Sequence, residues 1–575
     1  MKVAFDIETD GLDPTKIHCI AAKVIGLHQP CEFWGPDTVK FFPAWLIEIE
    51  ADTLVGHNII GYDLPAMSKL LGFDWGGDVE DTLVMSRLSN PSREGGHSLA
   101  NWGRVMNFPK GDYDDWENYS EEMKEYCIQD VEVTTRVYNQ LTKENISKAA
   151  LKLEHKIYKI TQQQTKNGWK FNTKKATSLL AELKQEMFNA EDDVREVFVP
   201  LATFKKLSFP KTAYKKDGTI SASFQRQLDK KVYLDEELGW GIDTYPPFNL
   251  GSRPQIARYL QHFGWEPTDF TEKETVMVSE SILEKVEIPE AQLIAKYLML
   301  QKRLGMVSSW IEAVTDEDRI HGSVNTCGAV TGRMTHSKPN LAQVPAGYSP
   351  YGKECRELFT VEEGYRLVGA DASGLELRML AHYMDDNDYT NEVVNGDIHT
   401  RNQENAGLKS RDEAKTFIYA FLYGAGDGKI GEIVGGSVKE GRKLKADFLD
   451  NTPALSSLRK RVVQDSSEGR IMGLDGRQLH IRSSHAALNT LLQSAGAIVM
   501  KRAVVLLDKF AKEYNINYRL VGQIHDEVQA EVQESQADFF GSLAVDCIKK
   551  AGIDFKLNCP LDGAYQVGTT WKETH

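Results

Sequence analysis

The sequence predicts a multidomain α/β protein. The chain of 575 residues is too long for a single core and points to about three or four domains. Short apolar strands alternate with helical stretches up to about residue 145, and strands and helices mix again after residue 320. Between them, residues 146–195 and 252–310 carry long helical periodicity.

The elements follow in order. VAFDIE, near the start, reads as a short apolar strand. ISKAALKLEHKIYKITQQQ and ATSLLAELKQEMFNAEDDVREVF read as long helices. Residues 196–247 are Lys- and Pro-containing, end in TYPP, and read as an irregular inserted loop region. YRLVGADASGLELRMLAHYM runs from a buried strand into a helix, with Asp371 at the strand's end. Residues 411–423 and 491–514 read as helices. In VGQIHDEVQAEV, apolar and polar residues alternate on both sides of His525-Asp526-Glu527, which predicts two strands meeting at a tight turn.

Composition excludes several classes. Hydrophobic residues make up 41% and charged residues 26%, an ordinary globular balance. No basic segment followed by an apolar one opens the chain, so no secretion signal is expected. The most apolar run, Leu491 to Phe510, is broken by Lys501-Arg502, so no membrane span is expected either. The seven cysteines are scattered without a CxxC pair and read as reduced core thiols of a cytoplasmic protein. The net charge of −15 argues mildly against a nucleic-acid partner, but the charge is segregated. Residues 204–231 hold seven Lys and one Arg against two Asp, while 112–125 are strongly acidic. The basic run alone is compatible with a solvated face.

Two constellations carry chemistry. In DIETDGL, Asp6 and Glu8 are two apart, on one face of a strand and roughly 6–7 Å from each other. Their repulsion is on the order of 2–3 kcal/mol at an effective dielectric near 20, and a hard cation between them would turn that cost into binding. GHNIIGYDLPA adds Asn58 and Asp63 before a helix, and EYCIQDVEV adds Tyr126 and Asp130 one helical turn apart. A Tyr hydroxyl beside an acid can orient a water. Taken singly, each acid also fits a surface position or an N-cap.

The second constellation spans 365–427. Asp371, after an apolar strand, reads as a metal-holding acid that could partner Asp526. Ser373-x-x-Glu376 matches a capping box, which leaves a structural alternative for Glu376. Arg411, Lys415, Tyr419 and Tyr423 recur every four residues, a stripe of about 18 Å on a helix with two cations leading two rings. That matches a nucleoside triphosphate, and also an amphipathic surface helix. GAGDGK (424–429) is not a P-loop, because Ile430 stands where Ser or Thr is required.

The order D-x-E, N-x4-D, Y-x3-D resembles the DEDD-type 3′–5′ exonucleases over residues 1–145. D-x-S-x-x-E-x-R (371–378), R-x3-K-x3-Y-x3-YG (411–424) and the HDE turn (525–527) resemble motifs A, B and C of family A DNA polymerases. GAVTGRMTHSKPNLAQVP, NGDIHT and HAALNTLLQSAGA resemble the phage T-seven-like replicative members. The resemblance implies an RNase H-like exonuclease domain at 1–145 and a right-hand polymerase with an antiparallel palm sheet. Its thumb is expected at 146–320 with the insertion at about 196–247, its palm at 321–400 and 471–575, and its fingers at 401–470.

The resemblance also implies roles. Mg²⁺, two ions at each site with Mn²⁺ as a substitute, would be held by Asp371 and Asp526 and by Asp6, Glu8, Asp63 and Asp130. Glu527 would support the polymerase site, and Tyr126 would align the hydrolytic water. Arg411, Lys415 and His399 would contact phosphates, Tyr419 and Tyr423 the sugar and base, and Glu376 would exclude a 2′-hydroxyl. Arg333, Asn489, Gln493 and His525 would contact DNA. Tyr419 stands where many relatives carry Phe, which implies weak discrimination against dideoxynucleotides. Primer-template DNA and dNTPs are the implied partners, with a helicase-primase as a further candidate. No fused 5′ nuclease or helicase segment is expected. The thioredoxin-binding thumb insertion of the phage relatives looks shortened here, so thioredoxin binding is not expected, and the Lys-rich segment would contact duplex phosphates directly. A nuclease with a silent polymerase site would lack Asp371 or Asp526; both are present.

Overall fold

Strand β1 (Lys2–Thr9) is buried on both faces. It pairs antiparallel with β2 (Ile17–Val24) and parallel with β4 (Thr53–Gly56), in a five-stranded sheet completed by β3 (Glu32–Trp34) and β5 (Asp78–Asp81). Strand alternation divides its residues between two cores. Val3, Phe5 and Ile7 pack with Phe42, Leu46 and Met67 on one side. Ala4 packs with Cys127 and Val131 of the Glu121–Leu141 helix on the other. Asp6 and Glu8 share the parity of Ala4 and so look toward that helix.

The computed structural model describes residues 1–271 and 273–575. Glu272, inside the stretch expected to be helical at 252–310, lies outside the described residues. The chain divides into two units, Met1–Asn172 with Ala313–His575, and Thr173–Glu312. The Lys148–Asn167 helix therefore belongs with the larger unit, not with Thr173–Glu312 as the expected 146–320 boundaries have it.

In the larger unit a second sheet is antiparallel throughout. Its order is Tyr518–Ile524, Glu527–Gln533, Tyr365–Ala372, Gly563–Gly568. The Ala487–Glu513 helix runs through the core beside it, about 40 Å long at 1.5 Å per residue. It is long and apolar enough to cross a membrane, yet 83% of its most apolar window is buried in the protein, as expected of a core helix. Asn489, Gln493 and Ala497 are partly exposed at four-residue spacing, a stripe on this mostly buried helix.

Four buried charges fasten this helix to its neighbours. Glu154, on the Lys148–Asn167 helix, accepts from Lys501 Nζ at 2.6 Å and Arg477 Nη2 at 2.8 Å. Arg477 also pairs with Asp475 at 2.7 Å. Lys501 donates further to the carbonyls of Thr326 and Gly332, both at 2.8 Å. Nothing in the local sequence pattern announces this cluster, because it is assembled from four distant segments.

The smaller unit corrects one expectation. Residues 196–247 are not an irregular loop. Thr203–Lys206, Gly239–Thr244 and Tyr233–Asp235 form a three-stranded antiparallel sheet, joined by the Ala222–Asp229 helix. Phe209, Phe224 and Trp240 pack together at 5.1–5.7 Å between centroids, Phe209 edge to face on Trp240 and the other pairs tilted, around the buried Phe224. The Lys and Pro residues between those rings hid the pattern. The expected helical stretch at 252–310 is likewise three helices, Arg253–His262, Glu280–Leu283 and Pro289–Ala313. The cysteines are free, and six of the seven are buried.

Replacing Glu154 with Ala leaves Lys501 buried without its charge partner. The expected loss is about 3–5 kcal/mol of protection in the Ala487–Glu513 amides, read by native-state hydrogen exchange. A loss below about 1 kcal/mol would show that the cluster does not hold this helix.

Candidate functional site

The first cluster forms where β1 meets the Glu121–Leu141 helix. That helix is capped by Ser120, whose hydroxyl accepts from Met123 N. Asp6, Glu8 and Cys127 place ligand-type atoms within 4.8 Å of one another. Asp63 is the first residue of the Asp63–Leu71 helix and is buried, as are Glu8 and Asp130. The loop before Asp63 is held by Asp81, whose carboxylate accepts from Asn58 N and Ile60 N. Asn58 adopts φ +69° and accepts from the Tyr158 hydroxyl at 2.6 Å, so it serves the loop's shape.

Burial and crowding set the electrostatics. Desolvation, then Glu8, Asp63 and Asp130, drive the Asp6 carboxyl well above its ordinary range. Desolvation and Asp130 push Glu8 up to about 8. Asp63 rises to about 7, through burial first and then Asp81 among the charges. Asp130 rises to about 6 from burial, opposed by an ion pair with Lys110. Tyr126, one turn before Asp130, is raised to about 12 by burial and by Asp130. No local sequence pattern marks Lys110, whose ammonium lies 4.6 Å from the Tyr126 ring centroid.

The second cluster is set by strand register. Asp371 lies opposite Glu527, and Ala372 N donates to Asp526 O at 3.2 Å. The turn between the hairpin strands is His525-Asp526, with His525 in the left-handed region at φ +58°. Glu527 is buried and fully engaged. It accepts from Trp571 Nε1 at 2.7 Å, His575 Nδ1 at 2.6 Å and Gln529 Nε2 at 2.5 Å. Desolvation, Glu376 and Asp371 raise Asp526 to about 6. Desolvation and Glu527 raise Asp371 as well.

The expected nucleotide residues gather nearby. Arg411, Lys415 and Tyr419 lie along the Arg411–Leu422 helix, and Tyr423 closes it. The Tyr419 and Tyr423 rings stack 6.4 Å apart, and His399 lies 6.2 Å from Tyr419. Burial, then Glu376, raises both tyrosines, Tyr419 to about 12. Arg411 Nε donates to Asp397 at 2.6 Å. The capping-box alternative for Glu376 is not realised: the helix is capped by left-handed Gly374 without a side-chain bond. Glu376 instead pairs with Arg333 at 3.3 Å and accepts from the Tyr423 hydroxyl at 3.4 Å. Arg333, His525 and Ala497, from the stripe that carries Asn489 and Gln493, line one cleft.

Both clusters offer carboxylate oxygens, the donors hard divalent cations take, and the N-terminal one fits such an ion: Glu8 Oε1 and Asp130 Oδ1 are buried without hydrogen-bond partners. Cys127 is too deeply buried, with its pKa raised well above the ordinary value, to offer a thiolate.

Comparisons agree with this geometry. The family model of DNA polymerase family A matches residues 218–573. The chain is 34% identical to the DNA-directed DNA polymerase of Enterobacteria phage T3, over 99% of each chain. It is also 34% identical to that of Escherichia phage T7, over 100% of each. The solved POL domain of Pol1 from M. smegmatis, in complex with DNA primer-template and dNTP, superposes with a TM-score of 0.76. It covers 99% of this chain and 95% of that one at 18% identity, which speaks to the fold. The chain belongs to DNA polymerase family A, among the T7-like phage members.

Raised carboxyls hold protons more tightly in the folded chain than in the unfolded one. The stability tied to Glu8 and Asp63 is fully present below roughly pH 4 and lost as pH rises through about 7 to 8. In EDTA at pH 8.5, Glu8→Gln should therefore raise the melting temperature by a few degrees. With saturating Mg²⁺ the order should reverse. A lower melting temperature for the variant in EDTA would contradict the crowding described.

Proposed function

We propose that the chain is a template-directed DNA polymerase that extends a primer 3′ end with dNTPs, and that it proofreads with a separate 3′–5′ exonuclease site in phage replication. One observation carries the reading. The antiparallel register sets Asp371 against Glu527 and next to the Asp526 turn, and Asp526 acts electrostatically on Tyr419 and Tyr423.

In this reading Asp371 and Asp526 hold Mg²⁺ or Mn²⁺ at the polymerase site, and Asp6, Glu8, Asp63 and Asp130 at the exonuclease site. The chemistry such ions supply is a lowered pKa for the attacking hydroxyl or water and neutralisation of the leaving oxygens. The chain's own residues do the rest. Arg411, Lys415 and His399 bind the triphosphate, and Arg411 exchanges Asp397 for phosphate oxygens as it does so. Tyr419 stacks on the incoming sugar and base. Glu376, anchored by Arg333 and Tyr423, occupies the space a 2′-hydroxyl needs. Arg333, Asn489, Gln493 and His525 face the DNA, where minor-groove N3 and O2 acceptors are common to all pairs and report geometry instead of identity. Glu527 is a positioning residue, bonded to Trp571, His575 and Gln529. At the other cluster Tyr126 orients the water beside Asp130. A pocket alone discriminates too weakly for replication, and a second hydrolytic site supplies the remainder.

The 203–244 module carries the Lys-rich segment, and we assign it direct, salt-sensitive contacts to duplex phosphates instead of a thioredoxin seat. Thioredoxin should then leave primer extension on long templates unchanged.

Asp526→Asn should abolish extension while single-strand degradation continues, and Asp6→Asn should do the reverse. Tyr419→Phe should make dideoxynucleotide incorporation fall by up to roughly tenfold relative to dNTP, the most that one polar contact is worth. Extension that persists in Asp526→Asn would refute the assignment.

A further inference from the structure

Resting on the reading of the N-terminal acids as the exonuclease metal site, we propose that Lys110 is its resident counter-cation, neutralising Asp130 in the absence of divalent ions and competing with them for that carboxylate.

The ammonium of Lys110 is paired with Asp130 Oδ2, while Oδ1 of the same carboxylate is buried without a partner. One positive charge thus faces the crowded acids. An ordinary surface ion pair would mean little, because long exposed side chains swing freely. Lys110 differs because the backbone carrying it is clamped on both sides. Before it, Gln129 Nε2 donates to Pro109 O at 2.7 Å, Phe108 N donates to Gly103 O at 2.9 Å, and the Arg136 guanidinium lies 3.7 Å from the Phe108 ring centroid. A Cβ on Gly103 would come within 2.8 Å of Phe108 O and 2.9 Å of Lys110 N, so only glycine admits this approach. After it, Gly111 lies so near Tyr126 that a Cβ would meet the ring at 3.2 Å. Both flanks are thus held against the helix that carries Tyr126 and Asp130.

The consequence is competition. An ammonium on Oδ2 and a divalent cation drawing on the same carboxylate repel, so ion entry requires the ammonium to yield part of its hold. Removing the charge should leave the acids more attractive to a cation and less stable without one.

The test is Mn²⁺ titration by electron paramagnetic resonance, on the full chain carrying Asp371→Asn and Asp526→Asn so that only the N-terminal acids are counted. Lys110→Met should bind Mn²⁺ there roughly fivefold more tightly, the upper end expected for removing one nearby competing charge. Lys110→Arg, which keeps the charge, should stay near the parent. In EDTA the Met variant should melt earlier than the parent, and Mn²⁺ should restore it; a variant that folds only with Mn²⁺ gives the same support. Unchanged or weaker Mn²⁺ binding in Lys110→Met, or an equal gain in Lys110→Arg, would overturn the proposal. If Asp6→Asn with Glu8→Gln leaves Mn²⁺ binding intact, the metal-site reading itself fails, which is a separate outcome.

Discussion

The carboxylate of Glu154, buried between Lys501 and Arg477, is the interaction on which the larger unit leans. The helix that carries it reaches both clusters. Its next residue, His155, accepts from Asp81 N, and Asp81 shapes the loop before Asp63. Tyr158 bonds Asn58 in that same loop. On the other side, Lys501 grips the carbonyl of Gly332, next to Arg333. One rigid element therefore takes part in placing Asp63 and Arg333, which lie in unrelated parts of the chain.

Such rigidity has a physical reason. Each cluster gathers like charges, the N-terminal one where Glu8, Asp63 and Asp130 are buried, and a loose scaffold would relax by spreading them apart. The sheet registers resist this. Moving Asp371 away from Asp526 would break the ladder that runs from Tyr365↔Gln533 to Asp371↔Glu527. Moving Asp6 from Glu8 is opposed by β1 itself, whose pairing with β2 includes Asp6↔Ala21 and Glu8↔Cys19. Protons or cations relieve the crowding, helped by Lys110 at the N-terminal cluster and by His575 and Arg333 at the other.

Much of this was legible in the sequence wherever a local period carried it. The parity of Asp6 and Glu8, the turn at His525-Asp526 and the four-residue stripe from Arg411 to Tyr423 are short-range patterns, and each folds as its spacing requires. Features built from distant segments were not legible. Lys110 sits in an acidic loop without periodicity, and only its place between Pro109 and Gly111 hinted at a fixed conformation. Glu154, Arg477 and Lys501 each look like solvated charges on their own segments. Glu376 shows the opposite failure: a good local match to a capping box lost to tertiary contacts with Arg333 and Tyr423.

The proposed chemistry depends on cations held between a strand-end acid and a hairpin acid, apart from a second set of acids near the start of the chain. Anomalous diffraction from crystals grown with Mn²⁺, primer-template and an unreactive dNTP analogue tests this most directly. Manganese peaks should appear between Asp371 and Asp526 and, separately, among Asp6, Glu8, Asp63 and Asp130. Absence of a peak at the Asp371–Asp526 pair, with nucleotide bound, would contradict it.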